Sequence, residues 1–458
     1  MAVADESQKN EKFIKMTTVP VEKLVLSLAG PSITIMIISA LYNMAATFFV
    51  ATLGTSQVGA IGIAFPLMAV IQAIGFFFGM GSGNYISRKL GAQDMEAASR
   101  MAVTALVSGF IFMALVAATG LVFLGHLVNL LGATETIKPY SMQYIFFILL
   151  ASPWMVSATI LNQQLRFQGS AAIAMVGMVS GAVLNIFLDP LFIFVFKLGV
   201  RGAGISALIC QSISFFILFL YGTTRKENIH IVFSRFSPAL SRYWEMFRGG
   251  VPSLLRQGLM SLSTIFIYHF AKPYGDAAIA AISIVQRLCM FANSAVLGFG
   301  QGFQPICGFN YGAKIYSRVR KAYWFCVRFC TAGLLILCVA MIIFAPHIIA
   351  LFRKDDLDVI TIGARGLRFN SISLPFMVLV VMCNMMTQTM GRALEASIIA
   401  TTRQGVFLIP ALFILSPFLG LLGVQLSIMV ADMASLIIVI PILIRVLKSI
   451  SLPDGETR

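Results

Sequence analysis

Long apolar runs recur along the whole chain, separated by short polar stretches. They begin near Leu24, Val58, Met101, Met142, Ala171, Ile205, Val251, Ala277, Ala322, Leu367, Leu394 and Leu421. Several exceed the ~18 to 20 residues that a helix needs to cross a bilayer. In lipid every backbone N–H and C=O must be satisfied within the protein, which a helix achieves on its own. The pattern therefore predicts an all-α polytopic membrane protein with about twelve transmembrane helices.

The same pattern occurs twice. Gly30-Pro31-Ser32 sits just inside the first run and Val251-Pro252-Ser253 just inside the seventh, with the prolines 221 positions apart. Gly54 and Gly275, Gly79 and Gly300, Gly91-Ala92 and Gly312-Ala313 share that offset, as do Gly199, Gly202 and Ser206 with Gly420, Gly423 and Ser427. An almost gapless offset over five regions marks a duplication. Each half holds an even number of spans, so the two repeats enter the membrane from the same side and are parallel. The expected organisation is a tail at 1–22, an N lobe at 23–222, a basic linker at 223–248, a C lobe at 249–447 and a tail at 448–458. Pro31 and Pro252 read as helix-starting prolines, where the missing N–H costs nothing, with a moving bend as the alternative.

Composition agrees with a membrane setting: 59% of residues are hydrophobic, 11% are charged and the mean hydropathy is +0.90. The net charge of +15 does not imply nucleic acid, because Arg88, Lys89, Arg100, Arg225, Lys226, Arg235, Arg242, Arg248, Lys314, Arg318, Arg320 and Lys321 fall in loops after even-numbered spans. The positive-inside rule puts those loops and both termini in the cytoplasm of a multi-pass cell-membrane protein. The first twenty residues are polar and mixed in charge, unlike a cleavable signal peptide. The seven cysteines lie in or beside apolar runs and read as packing residues. No metal site or cofactor is expected. There is no HExxH, GxSxG, phosphate loop or pair of catalytic carboxylates, so an enzyme is not expected.

The stretches "VATLGTSQVGAIGIAFP", "GMGSGNYISRKLGAQD", "LNQQLRFQG", "LNIFLDPLFIFVFKLGVRGAGISA" and "GFGQGFQPICGFNYGAK" together resemble the multidrug and toxic compound extrusion (MATE) family. The likeness runs from about Leu24 to Ile450. It implies an antiporter with N and C lobes, acting as a monomer in membrane lipid and exporting amphipathic, mainly cationic small molecules in exchange for protons or sodium. In proton-coupled relatives an N-lobe cluster joins a span-one aspartate, a span-four asparagine, and an asparagine and aspartate on span five. Asn162, Asn185 and Asp189 match the last three. The span-one position, eight residues before Gly54, is Ala46, where "LYNMAATFFV" departs from the family pattern. Span seven and span ten carry no acid, which counts against the C-lobe sodium site of the other branch.

Asn185 and Asp189 are four apart and share a helix face. A carboxylate within a span costs roughly 2.5 to 3.5 kcal/mol on insertion scales, so it faces a cavity or a partner. Asn43, Arg256, Gln257, Gln286 and Arg287 are the candidates for substrate contact. For Arg256 and Arg287 the structural alternative is pairing with Asp432 or with backbone carbonyls. Arg166 is expected to snorkel from the end of span four, and His269 to mark a membrane interface. Basic residues at these positions also keep open a second function, a lipid-linked precursor flippase of related two-lobe design.

Overall fold

The computed structural model describes residues 11–51, 55–224, 229, 232–352 and 356–450; the side chains at 39–48, 50, 51, 55 and 58 lie outside this description. Among the described residues there are twelve long helices and no strand: α1 (Val21–Ala51), α2 (Thr55–Gly91), α3 (Met95–Val122), α4 (Lys138–Phe167), α5 (Ala171–Pro190), α6 (Gly199–Thr224), α7 (Leu240–Ala271), α8 (Asp276–Gly312), α9 (Tyr316–Ile343), α10 (Leu357–Thr389), α11 (Ala393–Leu419) and α12 (Leu421–Ser449). Eleven of them are long and apolar enough to span a bilayer. The exception is α7, whose second half carries Ser253, Arg256, Gln257, Ser261, Ser263, Thr264 and His269 among its apolar residues. A helix that long with that many polar groups spans a membrane only where part of its surface is wet or paired.

Packing divides the chain into two compact units. One holds Gly30–Gly250 with the segment ending at Thr18; the other holds Val19–Ala29 and Val251–Arg458. The chain changes unit at Gly30 and at Val251, again 221 positions apart. Two expectations are corrected here. Pro31 and Pro252 do not start helices but lie inside α1 and α7. The helices extend before the prolines because those turns pack on protein: Val21, Leu24, Val25, Leu28 and Ala29 are buried. In the second unit, Glu22 pairs with Lys321 at 3.2 Å and Arg318 Nη2 donates to the Val19 carbonyl at 2.6 Å. Nor is 223–248 a separate linker. From Leu240 it is already helix and belongs to the first unit, where the Tyr243 hydroxyl meets Ser108 at 2.9 Å and Glu245 meets Arg88 at 3.3 Å.

Within each unit the same helix pairs touch: second with fourth, third with fourth, fourth with sixth, and fifth with sixth. The fourth helices, α4 and α10, are the most enclosed. The duplication extends to single hydrogen bonds. Asn162 Nδ2 donates to the Ala174 carbonyl at 2.9 Å, and Asn384 Nδ2 to the Ala396 carbonyl at 2.7 Å. Between these partners, the turn from the fourth to the fifth helix passes through Gly169 at φ +81° and Gly391 at φ +82°. That left-handed geometry is open to glycine at no steric cost.

Candidate functional site

In the first unit, α5 presents a stripe of Gly177, Gly181, Asn185 and Asp189, each one turn from the next, to α6. The glycines allow close approach: Gly177 faces Leu218, and a Cβ on Gly181 would come within 3.2 Å of the Cys210 carbonyl. Ser214 Oγ donates to the Gly177 carbonyl at 2.7 Å. Farther along, Gly202 lets α6 reach the end of α5; a Cβ there would lie 2.7 Å from the Phe192 carbonyl oxygen. Pro190 has no N–H to continue the ladder, and residues Leu191–Val195 follow as a π-helical turn.

This packing encloses a small polar site. Asn185 and Asp189 are each 3% exposed, and Ser206 is fully buried. Asn185 Nδ2 donates to Ser206 Oγ at 3.0 Å. Asn185 and Ser206 lie within hydrogen-bonding reach of the Asp189 carboxylate, and Tyr144 on α4 and Cys210 on α6 are close enough to interact with it. Oδ1 of Asp189 and Oδ1 of Asn185 are buried with no hydrogen-bond partner among the described residues. No cation pairs with Asp189 there. Among the described residues other buried oxygens also lack a partner, but Asp189 is the carboxylate among them, the group whose charge makes an unmet partner most costly.

The structure brings Asn185 and Asp189 together but not Asn162. Asn162 binds the Ala174 carbonyl, and Ala174 lies eleven residues before Asn185, about 16 Å along the helix axis. Ala46 and Asn43 lie in α1, with side chains outside the described residues. Tyr144 and Ser206 were not picked out from the sequence. Ser206 alone carried a signal, since it belongs to the duplicated Gly-Gly-Ser set. Arg166 does not snorkel: it is 1% exposed, bonded to Gln163 and the Met80 sulfur, with its guanidinium 5.4 Å from the Phe167 ring centre.

The second unit treats its buried acid differently. α11 carries a π-helical turn at Thr402–Leu408, and from it Arg403 pairs with Asp432 on α12. Ser373 Oγ on α10 donates to the other Asp432 oxygen at 2.7 Å. Both carboxylate oxygens are therefore engaged. Asp432 does not pair with Arg256 or Arg287. Arg256 is enclosed by protein and half-buried, Arg287 is exposed, and Gln257 and Gln286 are half-buried. His269 is exposed at the end of α7. The seven cysteines are free thiols, and no cluster of three metal-ligating side chains occurs among the described residues.

The MatE family model matches the chain twice, over residues 31–191 and 252–414, the same two halves that the hydrogen bonds repeat. The chain belongs to the MatE family. It is 27% identical over 425 residues to the multidrug export protein MepA of Staphylococcus haemolyticus, covering 93% of each protein. To MepA of Staphylococcus aureus it is also 27% identical, covering 93% of this chain and 94% of that one. Among solved structures, the outward-facing form of a multidrug resistance MATE family transporter of the MOP superfamily matches with a TM-score of 0.89 and 25% identity, covering 96% of this chain and 99% of that one. A MOP superfamily transporter from Pyrococcus furiosus, described as having a binding pocket of reverse polarity, matches equally well, with TM-score 0.89 and 25% identity over 96% and 99%. These likenesses make this member of the MatE family a two-lobed, multi-pass membrane efflux transporter and not an enzyme.

Proposed function

We propose that this MatE protein is an antiporter that exports amphipathic, mainly cationic drugs or toxic compounds in exchange for protons, with Asp189 as the proton-carrying group. The observation that carries this reading is the Asp189 carboxylate: buried, without a cation, and with one oxygen unpaired. A carboxyl group in that setting changes charge by exchanging a proton with water that reaches it, and the change favours one lobe arrangement over another. Asp432, already held by Arg403 and Ser373, has no such freedom. Coupling through one carboxylate also fits a chain with Ala46 at the position where the family carries a second acid. Asn185 and Ser206 position the carboxylate, and Asn162 acts as a helix staple. The relatives' names supply the multidrug part of the proposal; aromatic and methionine side chains suit such ligands.

The experiment is efflux of a cationic fluorescent dye from proteoliposomes under an imposed pH gradient. It compares the chain as it stands with Asp189→Asn and Ala46→Asp. Transport that Asp189→Asn abolishes supports the proposal. Transport only by Ala46→Asp would assign coupling to a two-acid site that this chain lacks. Sodium-driven efflux insensitive to Asp189→Asn would overturn the proton reading, and absence of dye movement by every variant would favour the flippase.

A further inference from the structure

α7 and α8 are the most amphipathic of the long helices in this chain, and each carries an arginine that the fold leaves unpaired. The helices are consecutive, joined by the short turn Lys272–Tyr274. Arg287 lies eleven residues from Asp276, about 16 Å from that turn; Arg256 lies fifteen residues from Ala271, about 22 Å from it. Both depths fall inside a hydrocarbon core of about 30 Å. The two levels differ by about 6 Å.

Among the described residues nothing supplies a counter-charge for either guanidinium. Neither arginine has a hydrogen bond or ion pair among the described residues. Asp432, the acid buried within the second unit's spans, is held on both oxygens by other groups. Arg256 sits in the middle of the packed stripe of α7. One turn before it, Ser253 accepts from Gln388 at 2.7 Å; beyond it, Leu259 packs on Gly405 and Ser263 donates to the Gln404 carbonyl at 2.9 Å. That stripe closes on α10 and α11 above and below Arg256, yet the residue itself is only half-buried, so it borders open space. Arg287 projects opposite the buried side of α8, which is formed by Ala278, Ala281, Ile282, Val285 and Ala292. An arginine facing lipid at that depth would cost several kcal/mol, so the face it marks is aqueous.

We propose that Arg256 and Arg287 receive an anionic oxygen group, a carboxylate or phosphate, on the transported molecule. Zwitterionic and anionic amphiphiles are then carried as well as cations. Guanidinium groups recognise such oxyanions in bidentate geometry, and one that has no internal acid to displace loses nothing on binding a ligand's charge. This inference rests on the export reading and extends its substrate class to molecules that carry an oxyanion. Gln257 and Gln286, each next in sequence to one of the arginines, offer neutral hydrogen bonds beside the charge.

The test is fluorescence-polarisation binding of two matched dyes to the full-length protein in detergent: rhodamine B, which carries a free carboxylate, and its ethyl ester, which does not. Arg256→Gln and Arg287→Gln are each expected to weaken the carboxylate dye about tenfold or more and leave the ester unchanged. Retained ester binding doubles as the control for folding. Equal loss of both dyes, or no loss of either, overturns the proposal. Competition by added phosphatidylglycerol that disappears in the arginine variants would make the bound oxyanion a lipid headgroup; absence of competition makes it the soluble ligand's. If Arg-dependent binding persists but proteoliposomes move neither dye, the receptor stands and the export reading fails.

Discussion

The Arg403–Asp432 pair gives the most exacting test of the C-lobe geometry. Asp432 is 2% exposed at its side chain and Arg403 23%, so neither charge is well solvated without the other. Removing one partner of a buried pair costs about 3–5 kcal/mol, because the remaining charge stays in the interior. Arg403 keeps some access and Ser373 still bonds Asp432, so the lower end of that range, about 3 kcal/mol, is expected for Arg403→Met or Asp432→Leu alone. Replacing both removes the unpaired charge, and the double variant should lie within about 1 kcal/mol of the unaltered protein, a coupling of several kcal/mol. The assay is thermal and denaturant unfolding of the four proteins in one detergent, followed by size-exclusion profiles. Additive losses, with the double variant worse than either single one, would mean that the two side chains do not depend on each other, and would refute the paired geometry.

Four further outcomes follow. Gly202→Ala brings a methyl group against the Phe192 carbonyl and should destabilise the N lobe by about 1–3 kcal/mol, with Gly423→Ala parallel to it; Gly62→Ala, with nothing within 4 Å, should be tolerated in the same unfolding assay. Asn162→Ala and Asn384→Ala each remove a buried hydrogen bond to a helix carbonyl, so both should lose stability by about 0.5–1.5 kcal/mol, whereas Asp189→Asn should abolish proton-driven efflux with little change in melting. Asp94 caps α3 by accepting from the Ala97 N–H at 3.1 Å, and it also pairs with Lys89 at 2.9 Å; Lys89 and that N–H hold its carboxyl below the ordinary value. Its stabilisation is therefore present above the unfolded carboxyl pKa of about 4 and lost as pH falls through the lower folded value. Asp94→Ala should cost about 1 kcal/mol near pH 7, and the gap should close in acid unfolding curves.

Hydropathy made the spans legible, and one constant offset made the duplication legible, because lipid permits few backbone solutions and the repeats have kept their glycines at the turns. The Asn185–Asp189 face was also visible, since a four-residue spacing needs only an unbroken helix. The Arg403–Asp432 pair was not. Each charge stands alone in its own span, and the π-helical turn at Thr402–Leu408 shifts the phase by which a sequence would aim Arg403. Arg166 misled for a related reason: a cation near a helix end looks solvated, but Met80, Gln163 and Phe167 enclose it. Pro31 and Pro252 misled because a proline marks a helix start only where nothing packs on the turns before it; here the turns before Pro31 are buried, and those before Pro252 hold Met246 and Gly250 against α2.

The two lobes of this duplicated scaffold hold their buried acids in different ways. Each has a fifth and sixth helix in contact, a π-helical turn, and one carboxylate buried at that helix pair. In the C lobe the acid stands on α12 and a guanidinium on α11 engages it. In the N lobe the place facing Cys210 is Gly181, too small to bring a counter-charge, and Asp189 keeps an unpaired oxygen. An acid that is always paired cannot report the state of the membrane; an unpaired one must find a proton or a cation each time it is buried. If that difference is what assigns coupling to one lobe, placing a cation beside Asp189 should silence it. Ser206→Lys, reaching from α6 beside Asn185, is the direct form. It should keep dye binding while losing pH-driven efflux. Efflux that survives in a folded Ser206→Lys protein would show that the free oxygen of Asp189 is not what drives transport.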